Sequence, residues 1–110
     1  MIKVIIGNKS KCMDWVIINS YRKHVLYCNI TNLKNIKIMI DLWAENKESK
    51  KKFGKVILFM DLFDRDFKKK FKIYKELLED EYVDFFIITS KKIIIDSKIK
   101  KEVIILWEKN

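Results

Sequence analysis

The sequence predicts an α/β fold, namely one doubly wound, three-layer domain with a mostly parallel sheet of about five strands. Short apolar segments alternate with longer ones whose apolar residues recur every three or four positions, as strands alternate with helices. The segment 55–64 (KVILFMDLFD) is apolar almost throughout, which is typical of a strand covered on both faces. With 110 residues, 49% of them hydrophobic, the chain is long enough for one core, and no linker or repeat divides it.

The N-terminal third predicts a strand, a helix and a second strand. Strand one is Lys3–Gly7, and Ser10 is the expected N-cap of a helix that runs to about Lys23. The residues expected on the buried face of this helix are Trp15, Ile18 and Tyr21, widened by Val16 and Ile17. Strand two is His24–Ile30, in which Cys28 alternates with apolar residues and is expected in the core.

The middle of the chain predicts a second helix before the apolar strand of segment 55–64 and a third helix after it. A stripe on the second helix is formed by Leu33, Ile36, Ile40 and Trp43. Asp64 or Asp66 is the expected cap of the third helix, which runs to about Asp80. Its expected inner face consists of Phe67, Phe71, Tyr74 and Leu78.

The C-terminal third predicts two further strands, Asp84–Thr89 and Glu102–Trp107. The segment between them, KKIIIDSKIKK, is compatible with either a short helix or an additional strand. Because the predicted strands alternate with helices, a mostly parallel sheet with right-handed crossovers is expected.

The composition narrows the possible partners. No apolar run approaches the ~20 residues that span a bilayer, and the first residues lack a cleavage site, so we expect a cytoplasmic protein without a membrane partner. Cys12 and Cys28 are then expected to be reduced, and with one His in the chain they do not form a zinc set.

The net charge of +9 favours nucleic acid as a partner. Lys is far commoner than Arg, and Ile and Asn are also frequent, so AT-rich coding is an alternative explanation of the positive charge. Such coding is typical of viruses, mobile elements and low-GC bacteria.

A lysine ridge on the third helix is the strongest candidate binding surface. It consists of Lys68, Lys69, Lys72 and Lys75, which are expected on the outer face. Lysines in this arrangement contact phosphates without reading bases, and no Arg or Asn accompanies them for base recognition. The acids Glu79, Asp80 and Glu81 at the end of the helix partly offset this charge, and a solvated helix face is the alternative interpretation.

The turn after strand one has the order strand, glycine, polar loop, helix, which is the order of a phosphate-binding loop. Its candidate nucleotide-binding residues are Gly7, Asn8, Lys9, Ser10 and Lys11. The phosphate-loop spacing would require Gly, Lys and Ser or Thr where the chain has Cys12, Met13 and Asp14. An ordinary strand-to-helix turn is the competing interpretation.

Taken together, these motifs resemble those of the P-loop ATPases that package or pump DNA (the FtsK–HerA branch) and the assembly ATPases of filamentous phage. VIIGNKSK resembles their Walker A segment, VILFMD their Walker B strand, and DFFIITSKKIIIDSKIKKEVIIL their later sensor segment. The resemblance implies that Asp61 helps to hold magnesium. The chain departs from the family at the Walker A Gly-Lys-Ser, at Leu62 in place of the water-activating Glu, and at Ser90 in place of Gln. Since phosphoryl transfer depends on these groups, the resemblance implies a degenerate domain without hydrolytic activity.

Asp61 and Asp64 also permit a different interpretation, a pair of metal-binding carboxylates at a strand end, as in metal-dependent nucleases. Magnesium would be the cofactor in that case, and the segment 68–70 would supply a nearby lysine. The competing structural roles are helix cap for Asp64 and strand end for Asp61.

The sequence therefore predicts a small non-catalytic α/β protein of viral or mobile-element type that needs no cofactor. It would bind nucleic acid or a protein partner through a basic surface. The alternatives are the metal-dependent nuclease and an inhibitor or accessory protein that blocks a partner.

Overall fold

The computed structural model of the protein describes residues 1–28, 33–46, 55–63, 67–77, 83–90 and 100–106. Within these ranges five strands and three α-helices alternate along the chain. The strands are β1 (Ile2–Ile6), β2 (Val25–Tyr27), β3 (Val56–Asp61), β4 (Val83–Thr89) and β5 (Lys101–Ile105). The helices are α1 (Lys9–Asn19), α2 (Leu33–Glu45) and α3 (Phe67–Tyr74), and a 3₁₀ turn, Lys75–Leu77, continues α3.

All five strands form one parallel sheet in the order β2-β3-β4-β1-β5. The predicted fold class is thus confirmed, with five strands in the described part of the chain. β3 and β4 lie inside the sheet, and all six residues of β3 are buried. This burial explains why the β3 sequence lacks the polar alternation of a half-exposed strand.

The core consists of two apolar layers, one on each face of the sheet. On one face, Cys12 and Val16 of α1 pack against residues of β1, β3 and β4. On the other face, α2 contributes Ile36, Ile40 and Trp43. Tyr74 at the end of α3 and Leu77 in the 3₁₀ turn pack in the same layer. The α2 stripe is therefore confirmed, and the sheet lies between helices as the three-layer prediction requires.

The predicted inner face of α1 is wrong at Ile17, Ile18 and Tyr21, whereas Val16 is buried as predicted. Ile18 and Tyr21 are 73% and 72% exposed, and Ile17 is exposed as well. The buried pair is Cys12 and Val16, four residues apart on one face of the helix, while Trp15 is half-buried with its ring 5.1 Å from that of Phe86. Apolar residues occur almost all round this helix, so the spacing of the aromatic residues does not identify the inner face.

The ends of several elements also differ from the prediction. α1 ends at Asn19, not near Lys23, and its N-cap is Asn8, not Ser10. β2 contains three residues, and the α-helical part of α3 ends at Tyr74. Gly7 follows β1 instead of ending it, and β5 begins at Lys101.

Other predictions fall on residues outside the described part of the chain. They are the Asp64 or Asp66 cap, the inward position of Leu78, the element within 91–99, and Trp107. Among the described helices, none has the length and apolar character needed to cross a bilayer.

Candidate functional site

The carboxyl ends of β1, β3 and β4 meet at one edge of the sheet, because the strands are parallel and adjacent. Ligands of open α/β sheets bind outside this edge. The β1–α1 turn and the start of α3 both follow strands that end here. The fold therefore brings together the turn and the N-terminal part of the lysine ridge, which are about 60 residues apart in sequence.

Gly7 occupies a position at which a side chain does not fit. A Cβ at Gly7 would lie 2.7 Å from the carbonyl oxygen of Leu106 and 3.1 Å from its Cβ. The close approach follows from backbone pairing, since the Leu106 amide donates to Ile6 O over 2.7 Å. The amide of Gly7 itself donates to Thr89 O at 3.2 Å. The glycine is thus explained by packing between strands without reference to a phosphate.

Asn8 caps α1 and completes a turn of only two residues between β1 and the helix. Its side-chain oxygen Oδ1 accepts from the Lys11 amide at 2.9 Å, and its carbonyl accepts from the Cys12 amide at 3.0 Å. The side chain of Asn8 therefore satisfies one of the first-turn amides that a bound anion would otherwise use. Ser10 and Lys11 are exposed in the first turn of the helix.

Asp61 is a carboxylate on this edge, at the end of β3, and its contacts come from three parts of the chain. Oδ1 accepts from the Phe63 amide at 2.9 Å, which ties the end of β3 to the following turn. Oδ2 lies 3.4 Å from Nζ of Lys9, at the start of α1. Lys70 of α3 donates from Nζ to the backbone oxygen of Asp61 at 3.4 Å. Two lysines from two helices thus converge on one residue at the end of a strand.

Lys70 differs from its neighbours in the helix because it is buried, with 3% of its surface exposed. Its ammonium group contacts the Asp61 carbonyl and lies 5.4 Å from the ring centre of Tyr27. A carbonyl oxygen and an aromatic face both stabilise a cation and offset part of the cost of burial. Sequence reasoning missed this role, although Lys70 stands four residues before the buried Tyr74 and so on the same side of the helix.

Neither cysteine offers an activated thiol. Burial raises the pKa of Cys28 from its ordinary value of 9.0 to about 12, and the nearby Lys70 and Tyr74 only partly oppose this effect. Burial also raises the pKa of Cys12. The predicted core position of Cys28 is confirmed, and both cysteines are free thiols. Since they pack on opposite faces of the sheet, they do not form a pair.

The lysine ridge lies on the surface, as predicted: Lys68, Lys69, Lys72 and Lys75 are all exposed. The one acid in the described part of this region, Glu76, forms an ion pair with Lys37 of α2. Among the described ion pairs, none involves Lys69, Lys72 or Lys75. The positive charges of Lys69, Lys72 and Lys75 are therefore available to a ligand.

Of the two carboxylates predicted to bind a metal, the structure describes Asp61. Asp61 has 5% of its surface exposed, and its oxygens have the partners given above. Asp64 lies outside the described residues. Within the described ranges no three His, Cys, Asp or Glu side chains form a group able to hold a metal ion.

His24 has a packing role. Its ring stacks on that of Trp43 with centres 4.8 Å apart, and its carbonyl accepts from the Ile57 amide at 2.9 Å. The two rings line a groove of about 340 Å³ between α2 and the start of β2.

Comparison of the chain with models of protein families, with curated proteins and with solved structures finds no significant match. The resemblance to DNA-packaging ATPases therefore stays a prediction, and the functional argument depends on the geometry of the chain.

Proposed function

We propose that this chain is a non-enzymatic binding protein that holds nucleic acid by its sugar-phosphate backbone, with the lysine ridge as its contact surface. The observation that carries the proposal is the exposure of all four ridge lysines, on α3 and the 3₁₀ turn that continues it, in a protein with a net charge of +9. Phosphate contacts supply most of the sequence-independent affinity of such proteins.

The spacing of the ridge suits a row of phosphates. Lys68 and Lys72 are separated by one turn of helix, and Lys75 follows about one turn later. One turn corresponds to a rise of about 5–6 Å, so the three lysines follow one another along one face of the helix. Lysine acts as a flexible point charge, which suits phosphates at variable distances.

The carboxyl edge extends the basic surface beyond α3. Lys9 and Lys11 are exposed in the first turn of α1. The contacts of Lys9 and Lys70 with Asp61 place this turn beside the start of α3. A backbone that lies along the ridge would therefore meet further positive charge at the end that carries Lys68.

Phosphate binding by the turn itself is a separate part of the proposal. Lys9 and Lys11 would provide the cations, while Asn8 already satisfies one first-turn amide and Gly7 is required for packing. We therefore expect weak nucleotide binding at most. Stabilisation of the folded chain by millimolar ATP would support a retained phosphate loop, and a melting temperature that ATP leaves unchanged would assign phosphate binding to the ridge alone.

The principal experiment compares two triple variants by fluorescence anisotropy with labelled duplex DNA, duplex RNA and single-stranded DNA. The first is Lys68→Glu, Lys69→Glu, Lys72→Glu. The matched control carries the same three charge reversals at exposed lysines elsewhere, Lys23→Glu, Lys100→Glu, Lys101→Glu. We expect the ridge variant to lose about tenfold or more in affinity, and the control to lose much less.

An equal loss in both variants would show attraction to the net charge without a defined surface, and unchanged binding in the ridge variant would contradict the proposal. The same labelled nucleic acids, with one further variant, test the alternative that the chain is a nuclease. Magnesium-dependent cleavage of the labelled strand that disappears in Asp61→Asn would identify a nuclease. If no nucleic acid binds the wild-type chain, the proposal fails, and a protein partner becomes the next candidate to test.

A further inference from the structure

We propose that the outer face of α2 is a dimerisation surface, on which the α2 helix of a second copy of this chain packs antiparallel. The proposal is independent of nucleic-acid binding. It rests on exposed apolar residues, the groove beside them, and the distribution of charge along the helix.

α2 is apolar on two opposite sides. Its inner side carries Ile36, Ile40 and Trp43, which pack on the sheet. Ile38 and Leu42 are nevertheless 48% and 61% exposed. They are four residues apart and thus lie one above the other on a single face. A helix that is apolar on both sides usually packs against a partner on each side.

The exposed pair continues into a concave surface. Met39, which is also exposed, and Leu42 line the groove of about 340 Å³ beside α2. Across the groove lie Leu26 of β2 and the start of β3. Exposed apolar residues beside an apolar groove, with polar residues around them, are typical of surfaces that bind proteins.

The charges on this face identify a second copy as the occupant. Lys34 stands near the N-terminal end of the exposed face, and Asp41 and Glu45 stand at the other end; all three are exposed. Among the described ion pairs, none involves them. In a parallel pair of α2 helices, like charges would lie opposite each other. In an antiparallel pair, each Lys34 lies near Glu45 of the other copy, and each Ile38 lies against Leu42 of the other copy.

This arrangement has the self-complementarity that a two-fold interface requires, because every contact occurs twice. The predicted dimer is weak. A helix of 13 residues is about 20 Å long, and two such helices side by side bury less than the ~1,600 Å² of a standard interface. We therefore expect dissociation constants in the micromolar range or above.

Analytical ultracentrifugation of the wild-type chain over micromolar to millimolar concentrations measures the association directly. Leu42→Lys is expected to weaken it by about tenfold or more, because a charge would enter the centre of the contact. The matched control is Ile18→Lys, which places the same charge at an isoleucine of α1 that is 73% exposed. Circular dichroism verifies that both variants stay folded.

A charge exchange tests the antiparallel register. Lys34→Glu and Glu45→Lys are each expected to weaken association by about threefold to tenfold, and the double variant to restore it, because exposed ion pairs are individually modest. A wild-type chain that is monomeric at millimolar concentration would overturn the proposal. A loss with Ile18→Lys equal to that with Leu42→Lys, or a double variant weaker than either single one, would overturn it as well.

Discussion

At the scale of single residues, the β1–α1 turn shows how local packing accounts for residues that a motif search attributes to ligand binding. Gly7 and Asn8 both match the layout of a phosphate loop. In the folded chain, Gly7 makes room for the backbone of Leu106, and Asn8 caps α1. Both roles predict losses of stability on substitution, whether or not a ligand is bound.

Gly7→Ala is expected to lower the free energy of unfolding by about 1–3 kcal/mol, the usual cost of forcing atoms into a filled site. The Cβ would lie 2.7 Å from a backbone oxygen that cannot turn aside as a flexible side chain does. Urea denaturation measures the change, and Ser20→Ala, at the half-exposed residue that follows α1, is the control. A Gly7→Ala protein as stable as the wild type would show that β5 shifts freely.

Asn8→Ala is expected to cost about 1 kcal/mol through loss of the cap, whereas Ser10→Ala is expected to change stability by less than about 0.5 kcal/mol. The comparison distinguishes the observed cap from the one that the sequence predicts. Thermal or urea unfolding of the two variants under identical conditions decides it, and a larger loss in Ser10→Ala would reverse the assignment.

Burial of Cys28 is expected to lower the stability of the folded chain at alkaline pH. The unfolded thiol loses its proton near its ordinary pKa of 9.0, while the folded thiol keeps its proton up to a pKa of about 12. The unfolded state therefore binds fewer protons in this window, and stability falls as pH rises. The slope is up to about 1.4 kcal/mol per pH unit.

Urea denaturation of wild type and Cys28→Ala, repeated at several values above pH 9.0, measures this contribution as a difference in slope. Other titrating groups are common to both proteins and cancel. We expect the wild-type stability to fall more steeply, and parallel curves would mean that the folded thiol ionises freely.

At the scale of elements, α1 and α3 show that hydrophobic periodicity does not always identify the buried face of a helix. Apolar residues surround α1, and its inner face is selected by the small Cys12 and Val16 and not by the larger Ile18 and Tyr21. In α3 the inner face includes Lys70, a residue type that patterning assigns to solvent. In both helices, contacts with the sheet decide the orientation.

Val16→Ala and Ile18→Ala test the orientation of α1. Val16 is 5% exposed and contacts the core, so its truncation is expected to cost about 1–2 kcal/mol. Ile18 is exposed, and its truncation is expected to change stability by less than about 0.5 kcal/mol. Chemical denaturation of the two variants gives both values, and a greater cost at Ile18 would restore the orientation that the sequence predicts.

At the scale of the whole molecule, the parallel sheet collects charge from distant parts of the chain. The starts of α1 and α3 come to one edge because β1 and β3 point the same way, and the ridge then leads away from that edge along α3. Asp61 balances part of this charge where Lys9 and Lys70 meet. The surface offered to a ligand is therefore a property of the topology as much as of α3.

The salt dependence of duplex binding is expected to report the size of this surface. Contacts from the four ridge lysines alone would give a plot of log affinity against log salt with a slope of about −3 to −4. A steeper slope would indicate that the first turn of α1 also contributes. Anisotropy titrations at several salt concentrations measure it, and a slope near zero would contradict phosphate contacts altogether.

The sequence by itself determined the fold class, the apolar β3, the inner stripe of α2 and the exposure of the lysine ridge. Each of these follows from hydrophobic periodicity, because an apolar run or stripe must be removed from water wherever it lies. The tertiary structure alone decided the strand order, the inner face of α1, the burial of Lys70 and the meeting of Lys9 with Asp61. These depend on contacts between residues far apart in sequence, and no local pattern records which strand becomes the neighbour of which.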